Sequence, residues 1–182
     1  MRHVLSFAIV CMVTSGSAFA QGGAAAPANP LTQGSRGAYE MVKGYITKAA
    51  EQVPENLYGF KATPEVRSLG QLFAHVADAN YMICGAAAAE TAPGGSVEKG
   101  QTTKAGISAG LAASFAYCDK VWAATTDASA ATPVKMPFGP AMPRLSALSF
   151  NTSHDFEHYG NIVTYMRLNK MVPPSSQGQG MR

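Results

Sequence analysis

The sequence predicts an all-α protein built as a four-helix bundle. Apolar side chains recur every three or four residues in four separate segments of about 20 residues each. No segment shows the alternation of apolar and polar residues that a half-buried strand requires. Stretches rich in proline and glycine separate the segments. Apolar stripes on four helices of this length are best buried against one another.

The first predicted helix spans residues 31–52, and Pro54 stops it because proline lacks the backbone N–H of a helical residue. Its apolar stripe runs through Tyr39, Val42 and Ile46. Several glycines weaken this helix, so it needs packing partners to be stable.

The second predicted helix spans residues 68–90. Ser68 and Gln71 form the capping box that marks a helix start, and Pro93 with the following glycines ends it. Residues 91–101 then form a long connection to the third helix. That helix begins after a threonine cap, at Thr102 or Thr103, and runs through Trp122.

The fourth predicted helix spans residues 144–168, after a second long connection over residues 127–143. Its apolar seam includes Leu148, Phe156 and Tyr159. The two long connections, one on each side of the third helix, distinguish this chain from a simple series of helical hairpins.

The two ends of the chain are predicted to lie outside the bundle domain, residues 31–174. A basic start, a short apolar run and an Ala-x-Ala end predict a signal peptide over residues 1–20, and hence a periplasmic or secreted protein. A buried first helix is the alternative. Residues 21–30 are predicted to form a flexible linker, and residues 175–182 a flexible tail. No later stretch is long and apolar enough to cross a membrane.

Composition excludes two classes of protein and points to a disulfide. A hydrophobic content of 47% excludes a disordered polar chain. A net charge of +3 without a basic run argues against a nucleic-acid partner. Signal cleavage would leave two cysteines, Cys84 and Cys118, in a compartment where disulfides persist, so they are a candidate bridge. Two separate buried thiols are the alternative.

The histidines are the candidate metal ligands. The mature chain has three: His75 on the inward face of the second helix, and His154 and His158 on the fourth. Residues four apart project from one side of a helix, so that pair can share one ion. Paired histidines also occur in solvent or hydrogen-bonded in a core. Three imidazoles from two facing helices would leave a coordination position open, as in catalytic sites, and suit a divalent transition metal such as zinc, nickel or iron.

Four further polar residues are candidates for the same site. Asp78 and Glu157 are the candidate catalytic residues, as proton carriers for a water or thiol whose pKa the metal lowers. Asp78 could instead orient a ligand imidazole. Asn161 and Tyr165 follow on the same face of the fourth helix and are candidates to line the pocket. For each, an ordinary surface or core position is the alternative.

A zinc-protease interpretation of the same residues is disfavoured. The spacing His154-x-x-Glu157-His158 matches the inverted zinc-protease pattern, in which the glutamate is the general base. That pattern needs a further acidic ligand downstream, and no Asp or Glu follows His158 in the sequence.

Five short segments surround these histidines: Pro64–Ser68, Leu72–Asp78, His154–Asn161, Tyr165–Asn169 and Val172–Pro174. Together they resemble the DinB/YfiT superfamily of metalloenzymes. The resemblance covers about residues 31–176 and implies an up-down-down-up bundle in which His75, His154 and His158 bind the metal. That order needs a long crossover between parallel second and third helices, and residues 91–101 can span about 33–36 Å when extended.

The resemblance also implies activities. Characterised members include thiol-cofactor S-transferases and a thiol-dependent isomerase, in which the metal activates the thiol as a thiolate. A metal-dependent hydrolase or thiol S-transferase acting on a small molecule is therefore expected, with homodimers implied by the family. Two alternatives stay open: a non-catalytic periplasmic metal-binding or stress-related module, and a metal-free bundle.

Overall fold

The computed structural model describes residues 28–178. The predicted signal peptide, most of the predicted linker and the last residues of the predicted tail lie outside these residues. Within them, no helix is long and apolar enough to cross a bilayer.

The described part of the chain is mostly helical, which confirms the all-α prediction. A two-residue antiparallel ladder, β1 (Pro133–Val134) with β2 (Met142–Pro143), lies in the connection before the last helix. Single 3₁₀ turns cover Glu55–Leu57 and Pro174–Ser176. The α-helices are α1 (Pro30–Gln52), α2 (Leu69–Ala88), α3 (Val97–Gly100), α4 (Lys104–Ala124) and α5 (Arg144–Leu168).

Most helix boundaries follow the predicted signals. The capping box of Ser68 and Gln71 is formed at the start of α2, and Thr103 accepts the N–H of Gly106 at the start of α4. The prediction for the end of α2 is wrong by two residues. Ala89 adopts a left-handed conformation (φ 59°) and ends the helix before the proline and glycines are reached.

The crossover between α2 and α4 is more ordered than predicted. It contains the short helix α3, which the prediction of a long connection over residues 91–101 did not include. Ser175, the first residue of the predicted tail, contacts α5: its N–H donates to the hydroxyl of Tyr159, and that hydroxyl donates to Oγ of Ser175, at 2.9 Å each.

Paired contacts along α2 show how its neighbours run. Asn80 lies opposite Ser114 and Cys84 opposite Cys118, so α2 and α4 advance in the same direction. Against α5 the order is reversed, since Asn80 meets Asn151 near the start of α5 while His75, earlier in α2, meets His158 further along α5. The structure joins Cys84 to Cys118 in a disulfide between α2 and α4, with the two Cα atoms 5.5 Å apart.

The core lies between α1, α2, α4 and α5. Tyr39 of α1 stacks on Trp122 of α4, with ring centroids 5.5 Å apart, and both side chains are buried. One predicted core position is wrong. Phe156 is 38% exposed, while its neighbour Asp155 is fully buried. The helical period places position 155, with residues 148, 151 and 152, on the inward side of α5.

Candidate metal centre

Two helices bring the three predicted metal ligands together. His75 projects from the middle of α2, and His154 and His158 project from successive turns of α5. One ring nitrogen of each lies within 4.8 Å of the others, so the three histidines are positioned to bind a metal ion. The ring centroid of His75 is 4.7 Å from that of His158 and 5.3 Å from that of His154.

The geometry of the donor set fits a transition metal. The Nε2 atoms of His154 and His158 are 3.1 Å apart. Two nitrogens that each lie about 2.0–2.1 Å from one ion are about 2.8–3.4 Å apart when the bond angle is about 90–110°. The pair therefore already has the spacing of two ligands on a shared ion, and all three donors are imidazole nitrogens, which suit zinc, nickel or iron.

The surroundings keep the imidazoles neutral, as metal binding requires. Burial lowers the pKa of His75, His154 and His158. The pKa of His158 falls furthest, to about 4, because the other two histidines and the Arg67 guanidinium add to the effect of burial. At neutral pH a metal ion would therefore not have to displace protons from these rings.

The Nδ1 atoms of the three histidines have different surroundings. The Nδ1 atoms of His154 and His158 are buried without a hydrogen-bond partner among the described residues. The Nδ1 atom of His75 instead lies 3.5 Å from Oε2 of Glu98, while Oε1 of the same carboxylate accepts a bond from Nε of Arg67 at 2.9 Å. Among the described residues, His75 is the one ligand of the three whose Nδ1 faces a carboxylate.

Sequence reasoning missed Glu98. Residues 91–101 were predicted only as a long connection, so no residue within them was considered as part of the site. The signal that could have found it is the acidic residue in the first turn of a short helix, α3, beside the candidate ligand helix.

Asp78 lies close to the site, but its carboxylate faces the crossover. Oδ1 accepts the backbone N–H of Val97 at 2.6 Å and Oδ2 accepts that of Glu98 at 3.1 Å. Both oxygens therefore hold the first turn of α3. This geometry favours a structural role for Asp78 over proton transfer, which stays a prediction.

A cavity of about 650 Å³ opens beside His158, and Glu98 also lines it. His158, Glu157, Asn161 and Tyr165 line it together, and Arg67 lines it as well. Glu157 and Asn161 are exposed there. Tyr165 is buried, and its hydroxyl donates to the backbone carbonyl of Arg67 at 3.0 Å, which fixes the segment before α2 against α5.

A buried polar chain behind the histidines was also missed. Asn151 donates to Oδ1 of Asn80 at 2.9 Å and to Oδ2 of Asp155 at 3.3 Å, and Asn80 donates to Ser114 at 3.2 Å. Burial raises the pKa of Asp155 well above its usual value. From the sequence, a carboxyl group next to a ligand histidine is expected to face solvent. Only the rotation of α5 about its axis shows that Asp155 points inward.

The fold and the site together define a helical protein with three histidines positioned for one metal ion. The family model of the DinB superfamily matches residues 38–162. The chain therefore belongs to the DinB superfamily. A search of curated proteins found no significant match.

Solved structures show the same fold. A DinB-like protein from Bacillus cereus superposes with a TM-score of 0.68 at 19% identity, covering 78% of this chain and 95% of that one. A DinB-like protein from Bacillus subtilis gives 0.61 at 13% identity, covering 76% and 94%. The mycothiol-dependent maleylpyruvate isomerase gives 0.59 at 15% identity, covering 72% of this chain and 60% of that one.

Proposed function

We propose that the protein binds one divalent transition metal through His75, His154 and His158. The proposal depends on one observation above all, the convergence of three imidazole nitrogens from α2 and α5 within 4.8 Å. We also propose that the bundle has the up-down-down-up order of the predicted fold. The parallel contacts of α2 with α4 and the antiparallel contacts of α2 with α5 support that order.

Elemental analysis of the purified protein tests the site. The wild type is expected to retain zinc, nickel or iron, and His154→Ala is expected to lose it because two imidazoles hold such ions more weakly than three. Ser153→Ala, an exposed neighbour on the same helix, is the matched control and should retain the metal. Equal metal content in wild type and His154→Ala would overturn the proposal.

We infer that the site catalyses a reaction of a small molecule in the adjoining cavity, either hydrolysis or transfer to a thiol. A divalent ion would supply Lewis-acid chemistry, which lowers the pKa of a water or a thiol. Glu157 lines the same cavity as His158, and we assign proton transfer to it. Asn161 lines the cavity too, and we propose that it binds the substrate. The thiol alternative is supported by the shared fold with an isomerase that depends on mycothiol.

Turnover assays separate the two reactions and the non-catalytic alternative. The metal-loaded protein is assayed with a panel of esters and amides, and with electrophiles in the presence of low-molecular-weight thiols. Glu157→Gln should lose activity while keeping the metal, and Glu65→Gln, on the same cavity but in the loop before α2, should lose less. Metal binding with no turnover in either panel would favour the non-catalytic metal-binding module.

We also propose that the chain is exported, with the signal peptide over residues 1–20 removed. The buried disulfide between Cys84 and Cys118 supports this, because such bonds persist outside the reducing cytosol. Intact mass of the protein recovered from the periplasm or medium should correspond to a chain that begins at Gln21. Recovery of the uncleaved chain from the cytosol would contradict export.

A further inference from the structure

We propose that Glu98 is a positioning residue of the metal centre, which fixes the ring orientation and the tautomer of His75. The proposal rests on the three-histidine site proposed above and extends it to the crossover between α2 and α4. The helix α3 would then be part of the site, although it supplies no metal ligand.

The carboxylate of Glu98 lies between two partners. Oε2 is 3.5 Å from Nδ1 of His75, and Oε1 is 2.9 Å from Nε of Arg67. Arg67 therefore holds one oxygen of the carboxylate, and the other oxygen is the one nearer the imidazole. At 3.5 Å the contact is longer than an ordinary hydrogen bond, so the proposal requires it to shorten, with Nδ1–H of His75 as the donor.

The backbone of α3 is held by α2 itself. Asp78, three residues after His75, accepts the N–H groups of both Val97 and Glu98. Val97 is buried, and its methyl groups lie where a Cβ on Gly110 of α4 would stand, at 2.7 and 2.9 Å. Asp78 and Gly110 thus set the position of the residue that orients His75.

This arrangement determines which nitrogen of His75 is available to a metal. When Nδ1 carries the proton and donates it to a carboxylate, Nε2 keeps its lone pair and becomes a more basic ligand. Among the described residues, the other two histidines have no such partner on Nδ1. His75 is therefore the ligand whose orientation a carboxylate controls, and loss of such a partner lowers metal affinity about 10–100-fold in other proteins.

The experiment compares the full chain with Glu98→Ala and Glu98→Gln. Zinc affinity is measured by competition with a chelator. Glu98→Ala is expected to bind zinc about 10–100-fold more weakly, and Glu98→Gln, which keeps an acceptor without the charge, should lose less. Glu90→Gln is the matched control: Glu90 also follows α2 and bonds to a tyrosine, but it lies away from the histidines. It should bind zinc as the wild type does.

A second readout does not depend on metal. Nitrogen NMR of the metal-free protein reports the tautomer of each imidazole. His75 should carry its proton on Nδ1 in the wild type and shift towards the other tautomer in Glu98→Ala, whereas a merely structural role would leave the tautomer unchanged. Unchanged zinc affinity together with an unchanged His75 tautomer in Glu98→Ala would overturn the proposal. A wild type that binds no metal but shows the tautomer shift would refute the proposed function and not the role of Glu98.

Discussion

Removal of the disulfide between Cys84 and Cys118 should destabilise the protein by an amount that the loop length sets. The bond joins residues 34 apart in the sequence, on two helices that pack against each other. In the chain-entropy description, closing a loop of that length removes conformations from the unfolded chain that correspond to about 3.8 kcal/mol at 25 °C. For a protein of this size each kcal/mol shifts the melting temperature by about 2–4 °C, so a fall of about 8–15 °C is expected.

The assay is urea unfolding of the double variant Cys84→Ala/Cys118→Ala against the oxidised wild type. Wild type refolded in reductant keeps both sulfur atoms but lacks the bond, so it separates the effect of the cross-link from the loss of buried sulfur. The double variant and the reduced wild type both lack the bond, so both should unfold at a lower urea concentration than the oxidised protein. A double variant as stable as the oxidised wild type would refute the reasoning, as would two alkylatable thiols in the exported protein.

Three further predictions concern ionisation and packing at the site, each measured by urea unfolding of the metal-free protein. Stability should fall as pH drops from about 6.5 to about 4, because His158 binds a proton near pH 6.5 in the unfolded chain but only near pH 4 in the folded protein. His158→Gln should show a shallower fall, and an equal fall would contradict this. Asp155→Asn should gain stability relative to wild type as pH rises, because the raised pKa of Asp155 makes its ionisation in the folded state increasingly costly. A difference in stability between the two proteins that stays constant across the pH range would count against a buried protonated carboxyl. Tyr165→Phe should lose about 1 kcal/mol with the hydrogen bond to Arg67, and unchanged stability would show that this bond contributes nothing.

The long helices could be predicted because their signals are local. The capping box at Ser68 and the threonine cap before α4 act within one turn of the chain, and the structure starts helices at both places. The end of α2 could not be predicted in the same way. Ala89 adopts a left-handed conformation that its sequence does not favour, and the packing of the crossover decides it.

The candidate site was predictable in part for the same reason. A helix repeat aligns His154 with His158, and the inward face of α2 carries His75, so the convergence of the three follows from helical periodicity and the bundle. Glu98 could not be found, because its approach to His75 depends on Asp78 capping a four-residue helix. Such a contact joins residues about 20 positions apart through a turn that has no strong sequence signature.

The most direct test of the account is X-ray absorption spectroscopy at the metal edge of the purified, metal-loaded protein. If His75, His154 and His158 share one ion, the spectrum should show three imidazole nitrogens at about 2.0–2.1 Å. His154→Ala, which is expected to lose its metal on purification, is loaded with excess metal before the measurement and should show fewer. A spectrum without imidazole ligands, or the same number in wild type and His154→Ala, would contradict the claim that these three side chains form one metal site.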